Sequence, residues 1–248
     1  MMYFPFYHTK VITICQFSYF CNMKLMLMTL IVAKIAFSTP EPAIEDVITR
    51  FDEAAVAWHP IDQVNWPEFP YKPLAEFRIM HSETEIYLQF HVRENGLRAT
   101  YDYDFGSLPY TDDCVEFFLI PSERDSSYFN VEMNCIGHGT FHYGPNRNER
   151  HRCGDEIVSQ IRRHSTLGSE AVGIREGEQE WTLTLAIPKR LYAQADLNLP
   201  SFSGRTLRAN FYKCGDKTAV PHFLSWNPIG TVRPDFHTPQ WFGEVKFE

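Results

Sequence analysis

The chain has 248 residues, of which 44% are hydrophobic and 15% aromatic, and its formal net charge is −8. This apolar content suffices for one large domain, because all-β domains of this length often remain undivided. The negative charge repels phosphate backbones and no apolar run of about 18 residues occurs, so we expect neither a nucleic-acid partner nor a transmembrane helix.

The N-terminal stretch allows two interpretations. Met23 and Lys24 followed by LMLMTLIVA resemble the start of a signal peptide, but Lys34 interrupts the apolar run and no small-x-small cleavage site follows. We therefore predict that residues 1–27 form an extension, either a mis-chosen start or a signal-like segment. Residues 28–248 then form a single domain with a first strand in TLIVAKIAF. The location of the protein stays open, with the cytoplasm favoured over secretion or the periplasm.

Residues 42–58 have apolar side chains at helical spacing, which predicts one amphipathic helix ending near Trp58. Ser38 or Thr39 is the expected cap, followed by prolines that suit a first turn. Residues 60–73 are rich in proline and aromatic residues, and we predict an extended loop that wraps the core.

The remaining sequence alternates apolar and polar residues with a period of two, and turn-forming clusters separate the segments. This pattern predicts an all-β fold: an antiparallel β-sandwich with one N-terminal helix and a long wrapping loop. The predicted strands are EIYLQFHVR, CVEFFLI, YFNVEMNCI, EIVSQIRR, EWTLTLAIP, LRANFYKC and HFLSW, and PKRLYAQ is at most a short helix.

The six cysteines include no CxxC pair, which argues against a zinc ribbon or a redox dithiol. Cys15 and Cys21 lie in the N-terminal stretch. For the cysteines of the main body we favour buried free thiols, with an inter-strand disulfide as the alternative: Cys114, Cys135, Cys153 and Cys214.

No motif for a catalytic serine, a zinc protease, a phosphate loop or a dinucleotide site occurs. We therefore assign no catalytic residue. The acidic residues that a glycosidase could use are candidates by type only: Asp112, Asp113, Glu116 and Glu132. A loop with metal-ligating residue types is interpreted as solvated, without a metal: His138, His142, His151 and Cys153. A haem or small-ligand sandwich is a further alternative, in which Met80 or Met133 would ligate iron together with a histidine.

Two predicted strands have unusual polar faces. In YFNVEMNCI the polar face carries Asn130, Glu132 and Asn134, and in LRANFYKC it carries Arg208, Asn210 and Tyr212. Amide, guanidinium and carboxylate groups make the paired hydrogen bonds that recognise sugar hydroxyls. An ordinary solvated sheet face is the alternative interpretation.

The run PYTDDCVEFFLIP resembles the W-x-x-D-[SC]-V-E-[IF]-F segment of family 9 carbohydrate-binding modules. HFLSWNPIGTVRPDFHTPQWFGEVKF is similar to the closing S-W…P-x-x-F-G segment of that family. The resemblance covers about residues 60–248, and VNWPEFPYKP, RANFYKCGD and SWNPI point to a stand-alone, single-domain branch.

The resemblance implies a non-catalytic module that clamps a terminal sugar of an oligo- or polysaccharide between two aromatic rings. The rings would be Tyr110 and Phe236, and Glu116 matches the family's sugar-contacting glutamate. Further contacts are implied at the positions of Asn130, Tyr212 and Arg233, and the polar strand face adds Arg208 as a candidate ligand-binding residue. Family members can bind structural calcium, but no acidic loop here requires it, and we expect no other cofactor.

These considerations give three expectations about single residues. Tyr110 and Phe236 should line one concave site. Glu116 should point into that site, ionised and without a second carboxylate across the ligand, as a binder rather than a glycoside hydrolase requires. Trp181 and Trp58 should be core residues. If instead Glu116 and Glu132 act as a pair, the protein is a glycoside hydrolase or its accessory protein in carbohydrate catabolism.

Overall fold

The computed structural model describes residues 29–122, 127–195 and 201–248. The predicted extension, with Cys15 and Cys21, lies outside the described residues. The strands are β1 Leu30–Lys34, β2 His59–Pro60, β3 Gln63–Val64, β4 Leu74–His81, β5 Glu85–Ala99, β6 Cys114–Ile120, β7 Tyr128–Asn134, β8 Gly139–Gly144, β9 His151–Arg152, β10 Arg162–Ser165, β11 Gly173–Pro188, β12 Thr206–Cys214, β13 Phe223–Ser225 and β14 Gly243–Phe247. The helices are α1 Ile44–Glu53 and α2 Asp155–Val158, with 3₁₀ turns at Pro109–Thr111, Lys189–Ala195 and Pro239–Trp241.

The predicted β-sandwich is confirmed. One layer has the order β10-β11-β5-β4 and the other has the order β14-β12-β6-β7-β8-β9. The strand β1 joins the layers into one curled sheet, since it pairs in parallel with both β4 and β14. Every other pairing is antiparallel, which leaves each strand with one face toward the core.

The core lies between the two layers, where period-two alternation brings apolar side chains together. Phe77 of β4 stacks on Phe211 of β12 with ring centroids 3.6 Å apart. Trp181 is 1% exposed, which confirms its predicted place in the core. Met133 is fully buried in this core, and Met80 is fully buried in a second apolar cluster against α1, so both methionines are packing residues and neither supports the haem alternative. Burial of each large apolar side chain stabilises the fold by about 1.5–3 kcal/mol.

The helix prediction was too long. The helix α1 ends at Glu53, and Ala55 has a φ of 47°, a left-handed conformation that ends the helical run. Its N-cap is Ala43, without a side-chain hydrogen bond, rather than Ser38 or Thr39. Trp58 therefore lies outside the helix and is only half-buried, under the guanidinium of Arg78 at 4.5 Å from the ring centroid.

The predicted strand EIVSQIRR is wrong in its first half. Residues from Glu156 to Val158 belong to the single turn of α2, and the strand β10 begins only at Arg162. Gly154 and Asp155 start this turn, because an acidic residue in the first turn favours a helix N-terminus. The other predicted strands are present.

A buried ionic cluster ties β12 to the sheet edge. The ammonium of Lys213 is fully buried, 2.8 Å from Asp113 Oδ1, 2.9 Å from Glu94 Oε2 and 2.7 Å from His222 Nε2. Trp181 donates its indole N–H to the other oxygen of Glu94. The cluster lies on the core side of β12, away from the face described next.

The second face of the β6–β7–β12 layer is covered by chain rather than by solvent. Residues 226–242 cross it, and Trp66 of the predicted wrapping loop donates its indole N–H to the carbonyl of Thr231 at 3.0 Å. Arg208 donates to the carbonyls of Gln240 and Phe242, and Asn210 exchanges hydrogen bonds with the backbone of Asn227. The polar strand face thus fixes a loop, and that loop forms one wall of a cavity.

Candidate functional site

A cavity of about 240 Å³ opens between the outer face of β6, β7 and β12 and the loops around it. Strand residues form its floor, the 145–150 loop and the 226–242 loop form its sides, and the 3₁₀ turn at Tyr110 closes one end. Its lining combines aromatic rings with charged groups: Tyr110, Glu116, Glu132, Arg147, Arg150, Cys214, Asp216, Phe223, Pro234, Asp235, Phe236 and His237.

Two buried carboxyl groups lie side by side on the floor. Glu116 of β6 and Glu132 of β7 are directly opposite in register, and each is 3% exposed. Burial and the charge of Glu132 raise the pKa of Glu116 well above its usual value. Glu132 accepts hydrogen bonds from Arg150 at 3.1 Å and from Asn130 at 2.7 Å, which favour its charged form.

Burial raises the pKa of Glu132 as well, so the pair resists carrying two negative charges. Glu116 lines the cavity, as expected, but its raised pKa works against the ionised form that was expected. The alternation of β6 and β7 places the second carboxyl, that of Glu132, beside Glu116 on the same face rather than across the cavity.

The side walls carry two arginines from the loop between β8 and β9. Arg150 pairs with Glu132, and Arg147 donates to Asp235 at 2.9 Å. His237 accepts from the hydroxyl of Tyr128 or donates to it at 2.8 Å, and burial lowers the pKa of this histidine strongly. Asp216 lies across from them, and burial raises the pKa of its carboxyl to about 6.

Aromatic rings form the apolar part of the lining. Phe236 stacks on Tyr212 with centroids 4.2 Å apart, so one face of Phe236 is fixed by the protein. Phe223 packs edge-on against Phe236 at 6.3 Å. Tyr110 is half-buried, and its carbonyl accepts from the backbone N–H of Asp216. Tyr110 and Phe236 thus line one concave site, as expected.

Four of the predicted contact residues do not line the cavity. Tyr212 is fully buried behind Phe236, and Asn130 lies beneath Glu132. Arg208 is engaged by the carbonyls of the 226–242 loop, and Arg233 is exposed on that loop. Tyr212, Asn130 and Arg208 therefore act on the cavity only indirectly, through the groups they contact.

Several lining residues were not predicted from the sequence. Arg147 and Arg150 come from the stretch PNRNER, which was interpreted as a solvated loop, and Asp216 lies two residues after the end of the strand β12. A usable signal was present in that stretch, since two arginines in a turn-rich loop suit the edge of a polar site. The histidine and cysteine residues of the same region form no joint ligand cluster among the described residues.

The four described cysteines are buried free thiols, as favoured. Cys114 and Cys214 are directly opposite in β6 and β12, and the Cys214 thiol is 3.2 Å from Glu116 Oε1. None of the helices in the described part of the chain is long and apolar enough to span a membrane.

Comparison with known proteins identifies a family to which the sequence is similar. The sequence pattern of carbohydrate-binding family 9 matches residues 45–247. A candidate carbohydrate-binding protein from Bacteroides uniformis is 39% identical, with a TM-score of 0.83, and the match covers 89% of this chain and 99% of that one. No curated protein matches the chain.

Two more distant structures share the fold. Both are family 9 carbohydrate-binding modules from Caldicellulosiruptor kristjanssonii, one in complex with glucose and one with cellotriose. The glucose complex is 16% identical with a TM-score of 0.53, covering 89% of this chain and 95% of that one. The cellotriose complex is 15% identical with a TM-score of 0.52, covering 89% and 93%.

Proposed function

Because the chain belongs to carbohydrate-binding family 9, we propose that the cavity binds one sugar residue of an oligo- or polysaccharide and performs no chemical step. The observation that carries the proposal is the meeting of aromatic rings and hydrogen-bonding groups in one small cavity. A pyranose needs both, since its C–H face packs on rings while its hydroxyls need donors and acceptors.

The size of the cavity supports a single residue at a chain end. Its volume of about 240 Å³ is below the roughly 300–1,000 Å³ of sites that take drug-sized ligands. The turn at Tyr110 closes one end, so a longer chain would extend outward past the loops rather than through the floor. The terminal sugar would then lie between Tyr110 and Phe236.

The charges in the cavity favour a neutral sugar. Arg147 and Arg150 are both engaged by carboxylates of the protein, and burial raises the pKa of Glu116, which favours its neutral form. An acidic sugar would bring a further negative charge next to Glu132 and Asp216 and would have to displace an existing ion pair. Neutral hydroxyls instead find a carboxyl donor on Glu116 and acceptors on Glu132 and Asp235.

Calorimetric titration with glucose and cellotriose, supported by a glycan array, tests the proposal. The wild-type protein should bind a neutral glycan. Tyr110→Ala should weaken that binding by about tenfold or more, because ring stacking contributes about 0.5–1.5 kcal/mol beyond the buried area. Glu116→Met should also weaken it with the fold intact, since methionine fills a similar space but has neither the hydrogen-bond donor nor the acceptor oxygens of the carboxyl.

Phe105→Ala is the matched control for the aromatic variant. Phe105 is 62% exposed and lies outside the cavity lining, so its removal should leave affinity unchanged. If the array shows no neutral glycan bound, or if Tyr110→Ala binds as tightly as the Phe105 control, the proposed site is wrong.

The paired carboxyls favour glycoside hydrolysis as a second candidate. A neutral acid beside an ionised carboxylate is the combination that a glycosidase needs. Against it, Glu116 and Glu132 are neighbours on one floor, whereas a glycosidase places its two groups on either side of the scissile bond. Hydrolysis of aryl glycosides by the pure protein, abolished in Glu116→Gln, would favour the enzyme over the binder.

A further inference from the structure

The floor of the cavity also brings together two thiols and a carboxyl group. Cys114 begins β6 and Cys214 ends β12, and the two residues are directly opposite in register. Glu116 follows Cys114 by two residues in the same strand, so its side chain lies on the same face. The ligand atoms of the three residues all lie within 4.8 Å of one another.

We propose that Cys114, Cys214 and Glu116 form a binding site for a thiophilic divalent cation, of which Zn²⁺ is the typical case. Zinc in proteins is held by thiolate and carboxylate ligands at about 2.3 Å and about 2.0–2.2 Å, so neighbouring ligand atoms lie about 3.5–3.8 Å apart. The Cys214 thiol and Glu116 Oε1, at 3.2 Å, are already close to that spacing. Shifts of about 1 Å in side-chain position would bring all three onto one ion.

Access and ligand type both support this site. Cys214 and Glu116 line the cavity, while Cys114 lies beneath them, fully buried. A cation entering from the cavity would therefore meet three protein ligands and keep its fourth position toward the open side, as in zinc sites that exchange ligands. Two sulfur ligands select zinc over calcium or magnesium, which prefer oxygen.

Burial raises the pKa of the Cys114 thiol, and a hydrogen bond with Cys114 together with burial raises that of Cys214. A bound divalent ion would supply the positive charge that stabilises both thiolates in this buried position. Arg150 and Arg147 lie close enough to act on the floor carboxyls and would balance the remaining negative charge.

A second buried cluster of potential metal ligands differs from this site because it already contains a cation. Glu94, Asp113 and His222 also place their ligand atoms within common reach, but the ammonium of Lys213 already lies among them and makes contacts of 2.7–2.9 Å. The cationic position there belongs to a side chain of the protein. At the cavity floor, the described side chains place no ammonium or guanidinium against either thiol.

The test is a titration of the reduced, chelator-treated full chain with Co²⁺, without sugar, followed by competition with Zn²⁺. The thiolate-to-cobalt charge-transfer band in the near ultraviolet should appear and saturate at one equivalent. Cys214→Ser and Cys114→Ser should lower the affinity at least tenfold and weaken the band. Cys135→Ser and Cys153→Ser are matched controls, because those buried thiols lie outside the cluster and should leave the titration unchanged.

Glu116→Gln keeps both thiols and tests the site if either serine variant fails to fold. In this variant the charge-transfer band should persist, and the affinity for Co²⁺ should be at least tenfold weaker. The proposal is overturned if reduced wild-type protein shows no charge-transfer band at saturating Co²⁺, or if the cluster variants bind as the controls do. Because no sugar is present, the result is independent of the proposed carbohydrate binding.

Discussion

Replacing Lys213 by methionine should remove a large part of this domain's free energy of unfolding. The ammonium is fully buried and is the cation that lies between Asp113 and Glu94, at 2.8 and 2.9 Å. Methionine has a similar length and fills the same space, so the change removes charge rather than volume. It leaves two carboxyl groups buried without their partner, and breaking a buried pair in this way costs about 3–5 kcal/mol.

Urea denaturation at pH 7.5 measures the loss, with Lys34→Met as the control. Lys34 pairs with Glu83 at the surface, where both side chains are well exposed, so its removal should cost about 0–1 kcal/mol. The loss in Lys213→Met should shrink as the pH falls, because burial already raises the pKa of Glu94 to about 7 and a protonated carboxyl needs no cation.

Adding Glu94→Gln and Asp113→Asn to Lys213→Met should recover part of the stability, since the buried charges are then removed together. The reasoning is refuted if Lys213→Met costs no more than Lys34→Met, or if its cost is the same at pH 5 and pH 8. Either outcome would mean that water or a rearranged side chain solvates the two carboxylates.

Two further predictions concern packing and pH. Trp181→Ala should cost about 3–5 kcal/mol in the same denaturation assay, because it empties a fully buried site and removes the N–H donor to Glu94. Trp58→Ala changes a half-buried site and should cost clearly less. Equal losses in the two variants would contradict the assignment of only Trp181 to the core. Burial lowers the pKa of His81 to about 4 and that of His222 to about 3, below the unfolded value of about 6.5, so each histidine contributes stability that is lost as the pH falls from 6.5 toward 4. His222→Gln should therefore lose less stability than the wild type on acidification across that range, as measured by the urea midpoint; identical pH slopes in the two proteins would contradict it.

The sandwich was predictable because its signal is local. Alternation in strands such as β5 and β12 decides which side chains face the core, and any chain with that pattern must bury one face. Trp181 could be placed in the core for the same reason. The extent of α1 could not, since the end of the helix depends on the left-handed conformation at Ala55 and on packing of the following segment, which periodicity does not show.

The candidate site was only partly predictable. Tyr110, Glu116 and Phe236 could be located by resemblance, and the structure places all three on one cavity. Arg208 and Asn130 belong to polar residue types that suit sugar contacts, yet their partners are a loop carbonyl and a buried carboxylate. Residue type gives the hydrogen bonds a side chain can make, but not the group that receives them.

The sequence by itself therefore determined the layers, the inward-facing residues and the three cavity residues that the family pattern marks. The tertiary structure alone decided the electrostatics. Cross-strand register places Glu116 beside Glu132 and Cys114 beside Cys214, and the 145–150 loop brings Arg150 onto the pair. The charge state of a group depends on its burial and on its distance from other charges, because electrostatic interactions weaken as that distance grows. Residues far apart in the chain become neighbours only when the strands pair.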